Sequence, residues 1–146
     1  MIFAKKKRRL RRILIVEDEP LVAFDNEHFL TEAGYEIVAT VDGVAAARAV
    51  IEDGVELDLV LVDVALSDGS GVEVAEAARA LDIAVLFVTG SCPENAQRLG
   101  VGCLAKPYTS RELRGALEVI DALMAGRAIR KLPPGLTLYQ QGASAA

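Results

Sequence analysis

The chain has no tryptophan, a single histidine (His28) and only two cysteines, Cys92 and Cys103. With neither a CxxC spacing nor a histidine cluster, a zinc site and a disulfide framework are both unexpected, and the two cysteines read as free thiols. No apolar stretch reaches the roughly 18 to 20 residues that a membrane helix needs, and Met1 to Ala4 is too short for the apolar part of a signal peptide. A cytoplasmic protein without a membrane segment is the expectation. Acidic residues are missing from the first twelve positions, where Lys5 to Arg12 (KKKRRLRR) holds seven of the 16 basic residues. The run lacks interleaved aromatics, so it reads as a solvated arm open to an acidic partner more readily than as a nucleic-acid module. Residues 13 to 146 keep nine basic against 21 acidic residues, a net of −12.

What is present is apolar: 52% of the 146 residues are hydrophobic, enough for one domain with a substantial core and no room for a large second one. The pattern is a succession of short apolar runs separated by helical periodicity. Ile13 to Val16 is a run with apolar residues on both sides of the pleat, so it reads as a strand covered on both faces. Pro20 suits a first helical turn, and Leu21 to Ala33 reads as a helix closed by Gly34. Tyr35 to Val41 is more polar, as an edge strand would be. Val44, Ala47 and Ile51 mark a second helix ended by Asp53-Gly54. Leu59 to Val62 is the next buried strand, and it ends at Asp63. A helix with an apolar face of Val74, Ala77, Ala78 and Leu81 follows, then a strand over Ile83 to Val88 that ends at Thr89-Gly90. Only 12 residues, Ser91 to Gly102, precede the short strand Cys103 to Ala105, so any helix between them must be short. Thr109 and Glu112 form a capping box for the last helix, whose buried face is Leu113, Leu117, Ile120 and Met124. Alternating strands and helices imply a parallel sheet with helices on both faces. Pro133-Pro134-Gly135 breaks regular structure, and residues 142 to 146 read as a mobile end.

The strand ends carry the polar groups: Glu17 and Asp18, Asp63, Thr89 and Lys106. In open α/β sheets these ends form the crevice where chemistry is done. Carboxylates gathered there repel one another unless a cation joins them. Magnesium suits, being a hard ion that takes oxygen ligands, and the carbonyl of Ala65 would add another oxygen beside Asp63. Lys106 adds a fixed positive charge and Thr89 a hydroxyl donor, the groups needed to neutralise an incoming phosphoryl group. Asp63 would then be the nucleophile that forms an acyl phosphate. Glu19 reads as a solvated acid in a first helical turn and Asp68 as a loop residue. His28, mid-helix and away from the strand ends, is expected to be structural or exposed.

The segments ILIVEDEP, LVLVD, FVTG and LAKPY, in this order and spacing, resemble the receiver domain of bacterial two-component response regulators over about Arg12 to Gly126. The resemblance implies a doubly wound five-stranded parallel sheet of flavodoxin-like order 2-1-3-4-5 with a short or irregular fourth helix. It makes Glu17 and Asp18 the metal-binding pair, Asp63 the phosphoacceptor, Thr89 the switch hydroxyl and Lys106 the family lysine, with a cis Lys106-Pro107 bond. It also implies Mg2+ as cofactor, a sensor histidine kinase or phosphotransfer protein as donor, and an output protein whose identity the sequence does not give. Most receivers carry Tyr or Phe three residues before the lysine; here that residue is Cys103. Cys103, the short segment after Thr89 and Phe87-Val88-Thr89-Gly90 together resemble the FAT GUY group of single-domain regulators.

The domain plan expected is a basic arm over residues 1–11, a receiver over 12–126 and an extension over 127–146. That extension is too short for a DNA-binding domain. A stand-alone phosphoacceptor, not a turnover enzyme, is therefore expected, acting by protein contact or as a phosphate sink. Two alternatives remain: a docking module that is never phosphorylated, and an aspartyl-phosphate hydrolase of the haloacid dehalogenase type. The latter uses Asp-x-Asp at the nucleophile strand, where this chain has Ala65.

Overall fold

The computed structural model describes residues 8–129 and 131–139. Elements alternate as the apolar periodicity requires: β1 (Arg12–Val16), α1 (Pro20–Glu32), β2 (Glu36–Val41), α2 (Val44–Glu52), β3 (Leu59–Asp63), a two-residue hairpin β4 (Ala65–Leu66) and β5 (Gly69–Ser70), α3 (Gly71–Ala80), β6 (Ala84–Thr89), a 3-10 turn (Glu94–Ala96), β7 (Gly102–Ala105), α4 (Ser110–Ala125) and β8 (Leu136–Leu138). The main sheet has the order β2-β1-β3-β6-β7-β8. Its first five strands are parallel and reproduce the expected 2-1-3-4-5 arrangement. The sixth strand was not expected: β8 adds antiparallel to β7, so part of the C-terminal extension belongs to the sheet.

Side chains that alternate along a strand separate into two cores. On one face Ile13, Ile15, Leu59, Leu61, Leu86, Val88 and Leu104 meet Leu30 of α1 and Leu113, Leu117 and Ile120 of α4. On the other, Leu14, Val16, Val60, Val62, Val85, Phe87 and Cys103 meet Val44, Ala47 and Ile51 of α2 with Val74 and Ala78 of α3. This two-sided cover is why the strands read as unbroken apolar runs instead of alternating ones.

Four expectations need correction or refinement. Cys92 and Cys103 are not free thiols; they form a disulfide with Cα atoms 6.4 Å apart, because the β6–β7 connection folds back over the sheet. Leu81 does not belong to the buried face of α3: the helix stops at Ala80, Asp82 takes a positive φ of 58°, and Leu81 is 53% exposed while Ala75 is buried in its place. The basic arm is not a free solvated segment from Arg8 onward. Asp121 of α4 accepts the N–H groups of Arg9 (2.7 Å) and Leu10 (2.9 Å), Leu10 is fully buried, and the Arg8 guanidinium lies 4.2 Å over the Tyr35 ring. Residues 5–7 of that run, and the end expected to be mobile at 142–146, lie outside the described residues. Finally, the fourth helix is reduced to the Glu94–Ala96 turn, the form that 12 residues between strands allow.

β8 is seated by Gly102. A Cβ at that position would stand 2.6 Å from the Thr137 carbonyl oxygen, so only glycine lets the last strand approach β7. Among the described residues, no helix is long and apolar enough to cross a membrane.

Candidate functional site

The parallel strands all point one way, so the carboxyl ends of β1, β3, β6 and β7 share one edge of the sheet. Asp63 is the last residue of β3 and pairs in register with Val88; Thr89 ends β6 and pairs with Ala105, one residue before Lys106. Glu17 and Asp18 follow β1 directly. Register alone thus delivers these side chains to one crevice.

The Lys106 ammonium donates to Asp63 Oδ2 at 2.8 Å and to Glu17 Oε1 at 3.2 Å. Glu17 Oε2 accepts the Glu19 N–H at 3.1 Å, and Asp63 Oδ1 accepts the Ala65 N–H at 3.1 Å. Glu17 and Asp63 are buried; Asp18 is half-buried and accepts from the Ser67 hydroxyl at 3.3 Å. Among the described residues, Glu17, Asp18 and Asp63 each offer a carboxylate oxygen, and these oxygens lie within 4.8 Å of one another. Lys106-Pro107 is cis, as the family resemblance implied.

Charge is unbalanced here. Burial pushes the Glu17 carboxyl above its ordinary range; the Glu19 N–H and Lys106 oppose that shift, and the neighbouring Asp63 charge adds to it. Burial acts to lower the Lys106 ammonium, but its bonds and charge interactions with Asp63 and Glu17 win and hold it above the ordinary lysine range. One cation faces three carboxylates at close range. Hard oxygen donors with one side open to solvent at Asp18 suit a small divalent ion such as Mg2+, which keeps part of its water shell.

Thr89 reaches the crevice edge but its hydroxyl is turned along its own loop, donating to the Ser91 carbonyl and accepting the Ser91 N–H, both at 3.3 Å. Ala65 meets Asp63 through its N–H. Glu19 is exposed at the start of α1. Asp68 is not in the cluster: it caps α2 through the Val44 (2.7 Å) and Ala45 (3.1 Å) N–H groups, which hold its carboxyl below the ordinary range. His28 is exposed and stacks on Phe24.

Three neighbours escape a reading based on strand ends. Ser67 joins the site only because the β4–β5 hairpin turns it toward Asp18. Tyr108 accepts a 2.9 Å bond from the Asn26 amide, and both line a cleft of about 470 Å³ with Lys106, Pro107 and Asp25. Gly71 is the third: its N–H donates to the Val64 carbonyl at 2.8 Å, and a Cβ there would lie 2.3 Å from the Asp63 backbone oxygen. Gly71→Ala should therefore cost about 1–3 kcal/mol, the usual penalty of overpacking, read as a lower urea midpoint with unchanged slope.

Residues 13–118 match the sequence model of the response regulator receiver domain. The chain is 33% identical over 108 residues to the uncharacterized transcriptional regulatory protein YrkP of Bacillus subtilis; the match covers 70% of this chain and 46% of that protein, so less than half of the relative's length is spanned. Among solved structures it is similar to SdrG of Sphingomonas melonis, at 42% identity and a TM-score of 0.62 over 75% of this chain and 94% of that one. It is also similar to TrrA of Thermotoga maritima, solved in complex with Mg(2+)-BeF, at 26% identity and a TM-score of 0.66 over 75% and 97% of the respective chains.

Proposed function

Because the chain belongs to the family of response regulator receiver domains, we propose that it accepts a phosphoryl group on Asp63 from a phosphohistidine of a sensor kinase or phosphotransfer protein, with Mg2+ bound. The observation that carries this reading is the Lys106 ammonium bonded at once to Asp63 and Glu17, beside a carboxylate triad it cannot neutralise alone. In the transfer, an Asp63 carboxylate oxygen forms a bond to phosphorus as the phosphorus–nitrogen bond of the donor breaks, and the donor imidazole leaves with that electron pair. Lys106 then exchanges its bond to the Asp63 carboxylate for one to a phosphoryl oxygen, which keeps its charge beside the one that develops. The Ala65 N–H fixes the carboxylate orientation. Glu17, Asp18 and Asp63 would hold the ion, with the Ala65 carbonyl as a further donor; when bound it supplies positive charge opposite the phosphoryl oxygens. Thr89 would follow by giving up Ser91 and turning its hydroxyl to the phosphoryl group. We read this domain as a phosphoacceptor whose output is protein contact or phosphate drainage.

Mg2+ titration followed by thermal unfolding tests the metal arm. Added Mg2+ should raise the midpoint, because an ion that binds only the folded state stabilises it. Asp18→Asn should weaken the ion by about tenfold or more, given that even outer contacts of metal sites are worth that much. A domain that docks a partner without being phosphorylated would give neither a Mg2+ response nor a response to beryllofluoride.

A further inference from the structure

The structure assigns a second chemistry to the crevice rim: we propose that Cys92–Cys103 is a thiol–disulfide modification site whose redox state sets how readily Asp63 is phosphorylated, an inference that rests on the phosphoacceptor reading above. The bridge has one accessible end and one closed end. Cys92 is exposed in the loop after β6, whereas Cys103 is fully buried in β7 beside Phe87. A dithiol reductant therefore attacks the Cys92 sulfur. Its thiolate forms a mixed disulfide there, Cys103 leaves with the electron pair and takes a proton, and the second thiol of the reductant then releases Cys92 as a thiol. Two electrons and two protons pass to the protein, and the reductant becomes a disulfide. A low-molecular-weight disulfide such as oxidised glutathione runs the sequence backward. The reduced Cys103 remains a small apolar residue of the kind the core accommodates.

The position of the bridge links it to the site. Cys92 lies three residues after Thr89, and Cys103 three residues before Lys106, so the bridge ties the loop that follows Thr89 to the strand that leads into Lys106. The two strand ends are also joined directly, the Lys106 N–H donating to the Thr89 carbonyl at 2.8 Å. The Thr89 hydroxyl is occupied by Ser91, the residue directly before Cys92. To reach a phosphoryl group on Asp63 it must release Ser91, which frees the Gly90–Cys92 segment from its bonds to Thr89. With Cys92 bonded to a strand buried in the core, the segment stays tied in its resting place; with the bridge reduced, that covalent tie is gone and the two Thr89–Ser91 bonds of 3.3 Å remain. Oxidation thus favours the resting arrangement and reduction the phosphorylated one.

The test uses the full chain, equilibrated with either oxidised glutathione or dithiothreitol. Arg98 lies between the two cysteines, so trypsin leaves peptides 80–98 and 99–111 joined only by the disulfide. They should be found joined after oxidation and separate after reduction. Labelling by acetyl phosphate with Mg2+ should be about fivefold faster or more in the reduced form, the lower end of ordinary coupling between two sites. Cys92→Ser, an exposed substitution, should label at the reduced rate under both conditions. Peptides that never join, equal rates in the two forms, or a redox effect that survives in Cys92→Ser would each overturn the proposal while leaving the phosphoacceptor reading intact. A mapped bridge with no labelling in either form would overturn both.

Discussion

Asp63→Asn should take up no acid-labile phosphoryl group from a cognate kinase or from acetyl phosphate, while the unsubstituted chain is labelled. The expectation follows from the site's geometry. Asp63 is the one carboxylate of the cluster that closes a strand whose residues are all buried, and it receives both the Lys106 ammonium, at 2.8 Å, and the Ala65 N–H. Asparagine is nearly isosteric and keeps an oxygen for Lys106, so the fold should survive and the loss should be confined to chemistry: an amide has no anionic oxygen to attack phosphorus. Asp18 lies nearby but is half-buried and bonded to Ser67, and Asp68 is committed to capping α2. Undiminished labelling of Asp63→Asn, measured with radiolabelled donor and acid treatment, would move the acceptor elsewhere.

Lys106→Met should reduce the rate of phosphoryl uptake by about 10²–10³-fold, the effect seen when one preorganised donor to a developing oxyanion is lost. It should also lower the stability of the metal-free protein by about 3 kcal/mol, since it leaves Glu17 and Asp63 buried without their cation. The sign of the pH dependence is fixed by the direction of the lysine shift. Its pKa is raised above the ordinary 10.5, so its stabilisation is complete below that value and fades only as the pH rises through the higher folded-state pKa. Near neutrality the substitution therefore removes the whole contribution. Chemical denaturation in the presence and absence of Mg2+ separates the two effects: added ion should restore part of the lost stability by neutralising the same carboxylates, but not the lost rate.

These residues were legible because each one interrupts or ends a run whose character is set by burial. Leu59 to Val62 must be a two-sided strand, so Asp63 must stand at its end; the same logic places Glu17, Thr89 and Lys106. The parallel arrangement then brings all of them to one edge. What the chain order hides is proximity between distant segments. Asp121 anchors the N–H groups of Arg9 and Leu10 more than a hundred residues away, so a basic run that looks solvated is half built into the domain. β8 is only three residues long and follows a Pro-Pro-Gly break, and its place depends on the bare backbone of Gly102. The disulfide needs the β6–β7 connection to fold back, which a spacing of 11 residues does not reveal. Leu81 read as core because the helical period continues through it, whereas the chain leaves the helix one residue earlier.

Under the proposed function, Cys103 at this position would make the coupling of this receiver to its surface unlike that of receivers with Tyr or Phe there. The buried residue three before the lysine is here covalently tied to the loop that follows Thr89. The proposed movement of Thr89 would thereby be connected to the β6–β7 segment, where a short 3-10 turn stands.

The most direct measurement is borohydride trapping of the phosphorylated chain. Reduction of an aspartyl phosphate converts that residue to homoserine, and peptide sequencing by mass spectrometry reports its position. After acetyl phosphate and Mg2+, homoserine should appear at Asp63, and chelation of the metal beforehand should prevent it. Homoserine at Asp18 or Asp68, or none under conditions where Mg2+ is bound, would contradict the account.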